Sequence, residues 1–191
     1  MELVFATNNK HKLEEIQNIL GKRIKILSLK DIGFVDEIPE DYDTLKENAL
    51  QKARYIYDRY KKNCFADDTG LEIDFLNGAP GVMSARYAGI KCTFDDNVNK
   101  VLKEMQGATN RDARFKTVIA LILNGEEHFF EGKVEGEILT ERYGKGGFGY
   151  DPIFKPIGVK ESFAQMALEE KNKISHRGIA TKRLTEFLLN M

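Results

Sequence analysis

The apolar run Val118-Ile119-Ala120-Leu121-Ile122-Leu123 is followed by Asn124-Gly125 and then by the partly alternating stretch His128–Ile138. Two long strands meeting at Asn-Gly form a β-hairpin, because both turn positions tolerate the positive φ that a two-residue loop demands. A sheet containing that hairpin is not purely parallel. Elsewhere strands alternate with helices. Leu3-Val4-Phe5-Ala6 is a short strand, and Leu13, Ile16, Ile19 and Leu20 follow at helical spacing before Gly21. Ile24–Leu29 reads as a second strand. Leu45, Ala49, Ala53, Ile56 and Tyr60 mark one face of a long helix, with Thr44 and Glu47 in capping-box register. Val98, Val101, Leu102 and Met105 define another amphipathic helix, and Ala180, Leu184, Phe187 and Leu188 the last one. The fold class is α/β with a mixed sheet.

The 191 residues allow one domain or two closely packed lobes, and the net charge of −1 argues against a surface devoted to DNA or RNA. No apolar run approaches a membrane span, and Met1-Glu2-Leu3-Val4 lacks the basic-then-apolar form of a signal peptide, so a soluble, cytoplasmic protein is expected. Cys64 and Cys92 have no metal-site spacing. Cys64 reads as a small buried hydrophobe.

Polar residues concentrate at a few turns. Thr7-Asn8-Asn9-Lys10-His11-Lys12 lies between the first strand and the first helix, where unpaired N–H groups and the helix dipole favour an anion. The structural alternative is an asparagine N-cap beside solvated lysines. In Phe65-Ala66-Asp67-Asp68-Thr69-Gly70 a strand is expected to end at the two carboxylates, one toward the core and one toward a cleft. Such a strand end can hold magnesium beside a phosphate, although the same residues also suit an ordinary turn. Asp31–Asp43 is an irregular acidic stretch, and one of its carboxylates could share a metal with Asp68. Arg86 is a candidate phosphate ligand. Tyr143–Phe154 places four glycines around Phe148 and Tyr150 ahead of Asp151-Pro152, letting backbone approach a ligand while Phe148 offers a stacking face. Ser175 is expected to cap the last helix, putting His176 and Arg177 in its first turn. Cations there oppose the dipole, which points to a functional reason for them.

Thr7–Lys12, Ala66-Asp67-Asp68-Thr69-Gly70-Leu71, Gly78-Ala79-Pro80-Gly81 with Ser84-Ala85-Arg86-Tyr87, Phe148–Phe154 and Ser175-His176-Arg177 occur in that order. The series resembles the inosine/xanthosine triphosphate pyrophosphatase family over nearly the whole chain. The resemblance implies residues 1–191 as one domain, with a long curved sheet flanked by helices, two lobes with a nucleotide cleft between them, and a homodimer. It implies hydrolysis of ITP, XTP and dITP to the monophosphate and pyrophosphate with Mg2+, while the charge balance and the lack of a long apolar run lead us to expect no stable nucleic-acid or membrane partner. Asp68 becomes base and metal ligand, and Asp67 beside it is a second candidate catalytic carboxylate, since either of two ionised aspartates next to a divalent cation can orient the attacking water. Substrate contacts fall on Thr7, Asn8, Asn9, Lys10, His11, Lys12, Thr69, Phe148, Gly149, Tyr150, Asp151, Lys171, His176 and Arg177. An upstream acid shares the metal, either Glu37 or Glu40. Asn8 stands where many relatives carry Gly, and Thr69 where Ser is commoner.

Donors aimed at purine O6, such as Arg177, His176 or backbone N–H groups near Phe148–Asp151, would reject the 6-amino group of ATP. Two rivals stand beside this reading: a pyrophosphatase for pyrimidine or modified nucleotides, and a nucleotide-binding protein without catalysis.

Overall fold

A computed structural model describes residues 1–21 and 24–191. In chain order the elements are β1 (Glu2–Phe5), α1 (Lys10–Leu20), β2 (Lys25–Leu27), α2 (Leu45–Tyr60), β3 (Cys64–Ile73), β4 (Pro80–Gly81), α3 (Phe94–Glu104), β5 (Asp112–Leu123), β6 (Glu126–Ile138), β7 (Phe154–Pro156), α4 (Leu168–Ile174) and α5 (His176–Leu189). The strands form one mixed sheet in the order β2-β1-β3-β5-β6-β7, with β4 paired to β3. β1 runs parallel to β2 and β3, whereas β4 and β7 pair antiparallel with β3 and β6. The expected hairpin joins β5 to β6, and Asn124 (φ 53°) and Gly125 (φ 91°) take the left-handed conformations such a turn needs.

The chain forms two compact units, each assembled from separated segments. The first comprises Met1–Asp68, Thr117–Gly132 and Arg177–Met191; the second comprises Thr69–Lys116 and Lys133–His176.

In the first unit, strand alternation sorts side chains onto two faces. Leu3, Phe5, Phe65, Ile119, Leu121 and Leu123 pack with Ile16 and Leu20 of α1 and with Ala180, Leu184 and Leu188 of α5. Val4, Ala6, Cys64, Ala66, Ala120 and Ile122 pack instead on Ala49, Ala53 and Ile56 of α2. Each large aliphatic or aromatic side chain buried this way contributes about 1.5–3 kcal/mol. Cys64 is fully buried, as its apolar surroundings led us to expect. The second unit has its own core, in which Leu71, Ile73, Phe115, Ile138, Phe154 and Phe163 pack with Val98 and Val101 of α3 and with Met105 just past its end.

Two sequence expectations are corrected here. β3 does not stop at the aspartates but continues ten residues to Ile73, because Leu71 and Ile73 have a core of their own to enter. The strand expected over Ile24–Leu29 shortens to Lys25–Leu27, as Leu29 turns into a single 3-10 turn over Lys30–Ile32 closed by Gly33.

Candidate active site

Because β3 is extended through Asp67 and Asp68, the two carboxylates leave on opposite faces. Asp67 continues the Phe65 side, toward α1 and α5. Its Oδ1 accepts from Lys12 Nζ at 3.0 Å and its Oδ2 from Arg177 Nε at 3.0 Å, and its side chain is fully buried. Arg177 also donates through Nη1 to Glu15, one turn beyond Lys12 on α1. Lys12, Asp67, Arg177 and Glu15 thus alternate in charge, and three of the four are almost wholly buried. Burial opposes the Asp67 charge, but Lys12, Arg177 and Lys52 outweigh it and hold the carboxyl well below the usual range. For Lys12 burial prevails and pulls the ammonium down.

Asp68 continues the Ala66 side, toward α2. There Lys52 Nζ donates to Asp68 Oδ1 at 3.2 Å and to Glu40 Oε1 at shorter range. Burial raises the Asp68 pKa; Lys52 and Lys12 counter this, while Glu40 and Asp67 add to it, leaving a net rise. The Lys52 ammonium is disfavoured by burial, yet Asp68, Glu40 and Asp67 together hold it above its ordinary value. The acidic stretch reaches this point because α2 straps it down. Asn48 exchanges hydrogen bonds with the Tyr42 backbone, and Gln51 bonds both the amide and the side chain of Asp41. Of the two acids expected near the metal, Glu40 faces Asp68 across Lys52, whereas Glu37 is exposed.

At the first turn, the Asn9 side chain accepts from the His11 and Lys12 amides and so caps α1, while Thr7 Oγ1 accepts from the Asn9 amide. The structural alternative for Asn9 is therefore realised. Asn8 donates to the Asp36 carbonyl, Lys10 and His11 are exposed, and Lys12 is drawn inward to Asp67.

In the second unit the glycine-rich loop is a built feature. Asp151 Oδ2 accepts from the Phe148 amide at 2.9 Å and from Lys171 Nζ at 2.6 Å. Lys171 is buried, its ammonium 5.2 Å from the centre of the Phe148 ring and 5.5 Å from that of Phe163. Phe94 packs on Phe148 with ring centres 5.8 Å apart. Gly147 has a positive φ of 66°, and a Cβ there would stand 2.0 Å from Asp151 Oδ2. Tyr150 is a core residue whose hydroxyl donates to the Ser84 carbonyl. Thr69, Arg86, Phe148 and Gly149 are half-buried. His176 is buried and stacked on Phe115, with ring centres 4.5 Å apart and planes 12° apart.

Arg177 differs most from expectation. Pictured as a donor to a purine, it is 2% exposed and commits its guanidinium to Asp67 and Glu15. Lys52 and Glu15 were missed. Their signal was present: Lys52 lies three residues from Ala49 and four from Ile56 on the apolar face of α2, and Glu15 adjoins Ile16. A charged residue on a core-facing stripe needs a partner.

A model of the Ham1 family matches residues 3–187. The chain is 54% identical to a dITP/XTP pyrophosphatase of Flavobacterium psychrophilum over 190 residues, the whole of both chains. It is 53% identical to a dITP/XTP pyrophosphatase of Porphyromonas gingivalis, covering 98% of this chain and 97% of that one. Among solved structures, a HAM1 protein from Coxiella burnetii is similar with a TM-score of 0.91 at 40% identity, covering all of both chains. The Staphylococcus aureus Ham1 protein gives 0.89 at 36%, covering 100% of this chain and 99% of that one. A match across nearly the whole chain, together with relatives more than half identical, establishes that this protein belongs to the Ham1 family.

Proposed function

We propose that the protein hydrolyses non-canonical purine nucleoside triphosphates, dITP, ITP and XTP, to the monophosphate and pyrophosphate, with magnesium, in the cytoplasm. The observation that supports this most is the division of labour in the aspartate pair: Asp67 is locked to Lys12 and Arg177, while Asp68 stands with Glu40 at a single ammonium. Full-length similarity to dITP/XTP pyrophosphatases supplies the substrate class.

Two hard oxygen donors suit Mg2+, which typically takes one or two carboxylates and completes its shell with water and substrate phosphate. We assign the ion to Glu40 and Asp68, with Glu37 set aside because it is exposed. When bound, the ion neutralises phosphate charge and acidifies water.

The chain's own residues do the rest. Asp68 accepts the proton of the attacking water and orients it toward phosphorus. Asp67, with no exposed side-chain surface, serves by aiming Lys12 rather than by meeting water. Lys10, Lys12 and the Thr7–His11 turn receive the triphosphate, and we keep Arg86 and Thr69 as further substrate contacts. Phe148 offers a face to the base, Gly149 and the neighbouring backbone amides read its O6 edge, and Asp151 with Lys171 fixes the loop that presents them. A buried donor left unpaired by adenine can discriminate by roughly 10⁴-fold. His176 braces this region through Phe115. We read residues 1–191 as one catalytic domain, since its two units interleave along the chain, and expect a homodimer, to be checked by sedimentation.

The test is pyrophosphate release from a panel of dITP, XTP, ITP, GTP, ATP and dTTP by wild type and Asp68→Asn. We expect the 6-keto non-canonical purines to lead the panel and Asp68→Asn to lose at least 10²-fold in kcat. Preferred turnover of dTTP, or undiminished turnover by Asp68→Asn, would overturn the reading.

A further inference from the structure

Lys52 is a buried charge that the reaction above leaves without a task. It lies on α2 three residues from Ala49 and four from Ile56, both of which face the core, and 7% of its side chain is exposed. Its ammonium bonds both Glu40 and Asp68, the two carboxylates assigned to magnesium. Two carboxylates converging on one point repel each other and pay desolvation, so they need a cation whether or not metal is present.

We propose that Lys52 is the resident counter-ion of the metal-free protein: it holds Glu40 and Asp68 together and must withdraw before a divalent cation can take its place. This rests on the assignment of the ion to Glu40 and Asp68. The ammonium occupies the position from which both oxygens can be reached, and a dication entering beside it meets a like charge in a poorly hydrated site. Free Mg2+ therefore binds weakly, and uptake becomes favourable when a triphosphate adds negative charge. The site is thereby kept assembled between turnovers without holding metal tightly.

Calorimetric titration and thermal denaturation with Mg2+ alone, on nucleotide-free protein, test this without reference to turnover. Lys52→Met keeps the aliphatic stem and removes the charge. It is expected to bind Mg2+ at least tenfold more tightly than wild type and to gain several degrees of Tm on adding Mg2+, where wild type gains little. Lys52→Arg should behave as wild type, and Lys52→Met with Glu40→Gln should lose the gain. If Lys52→Met does not fold, Lys52→Gln repeats the measurement with a neutral side chain able to hydrogen-bond both carboxylates. Equal Mg2+ affinity in wild type and the neutral variants overturns the counter-ion role. Metal uptake by wild type with a non-hydrolysable ITP analogue is measured in parallel. If it occurs while the affinities are equal, only the counter-ion role falls; if it does not occur, the metal assignment falls with it.

Discussion

At the scale of single residues, adjacent aspartates with the same chemistry acquire opposite properties from which face of β3 they leave. Asp67 is ionised and sealed among cations; Asp68 is pushed toward protonation by burial and by its acidic neighbours. Arg177 sits with the sealed group, which fixes what its removal should do. Arg177→Ala leaves Asp67 and Glu15 buried without their guanidinium, and breaking a buried pair in this way costs about 3–5 kcal/mol. Urea unfolding should register that loss, with Arg177→Lys falling between. A raised KM for dITP with unchanged stability would instead return Arg177 to the role of a base reader. Sequence spacing placed Arg177 correctly at the start of a helix. It could not show that the partners lie 110 and 162 residues away.

At the scale of elements, the helices were legible because each declares its buried stripe and its cap. α1 and α2 begin next to the polar residues expected to cap them, Asn9 and Thr44, each of which accepts a backbone amide, and α3 is capped in the same way by Thr93. The loop from Tyr143 to Tyr150 was legible as glycine-rich, but its shape comes from Asp151, which gathers the Phe148 amide and the Lys171 ammonium at one oxygen. Gly147→Ala therefore places a methyl where Asp151 Oδ2 lies, at a φ that disfavours any side chain. We expect KM for dITP to rise by at least tenfold while kcat changes far less, read from steady-state pyrophosphate release. An unaltered KM would mean that the loop does not touch the base.

At the scale of the whole molecule, acid is the perturbation that reaches the buried charges together. The folded-state pKa of Asp67 is depressed, so its contribution to stability is fully present above the ordinary value of 3.8 and is lost as pH falls below that toward its folded value. Unfolding free energy measured in urea should fall steeply below about pH 4 in wild type. Asp67→Asn should be less stable at neutral pH and show a flatter acid limb; an unchanged limb would place the acid sensitivity elsewhere. The mixed sheet, the hairpin at Asn124-Gly125 and the amphipathic helices were set by sequence alone, since periodicity and turn chemistry act over a few residues. Tertiary structure alone decided that β3 runs through its aspartates, that Glu40 shares the Lys52 ammonium with Asp68 while Glu37 is exposed, and that Lys52, Glu15 and Arg177 are interior charges. The reason is that a buried charge is defined by its partner, and these partners are brought together by packing among segments remote in the chain, which no local pattern encodes.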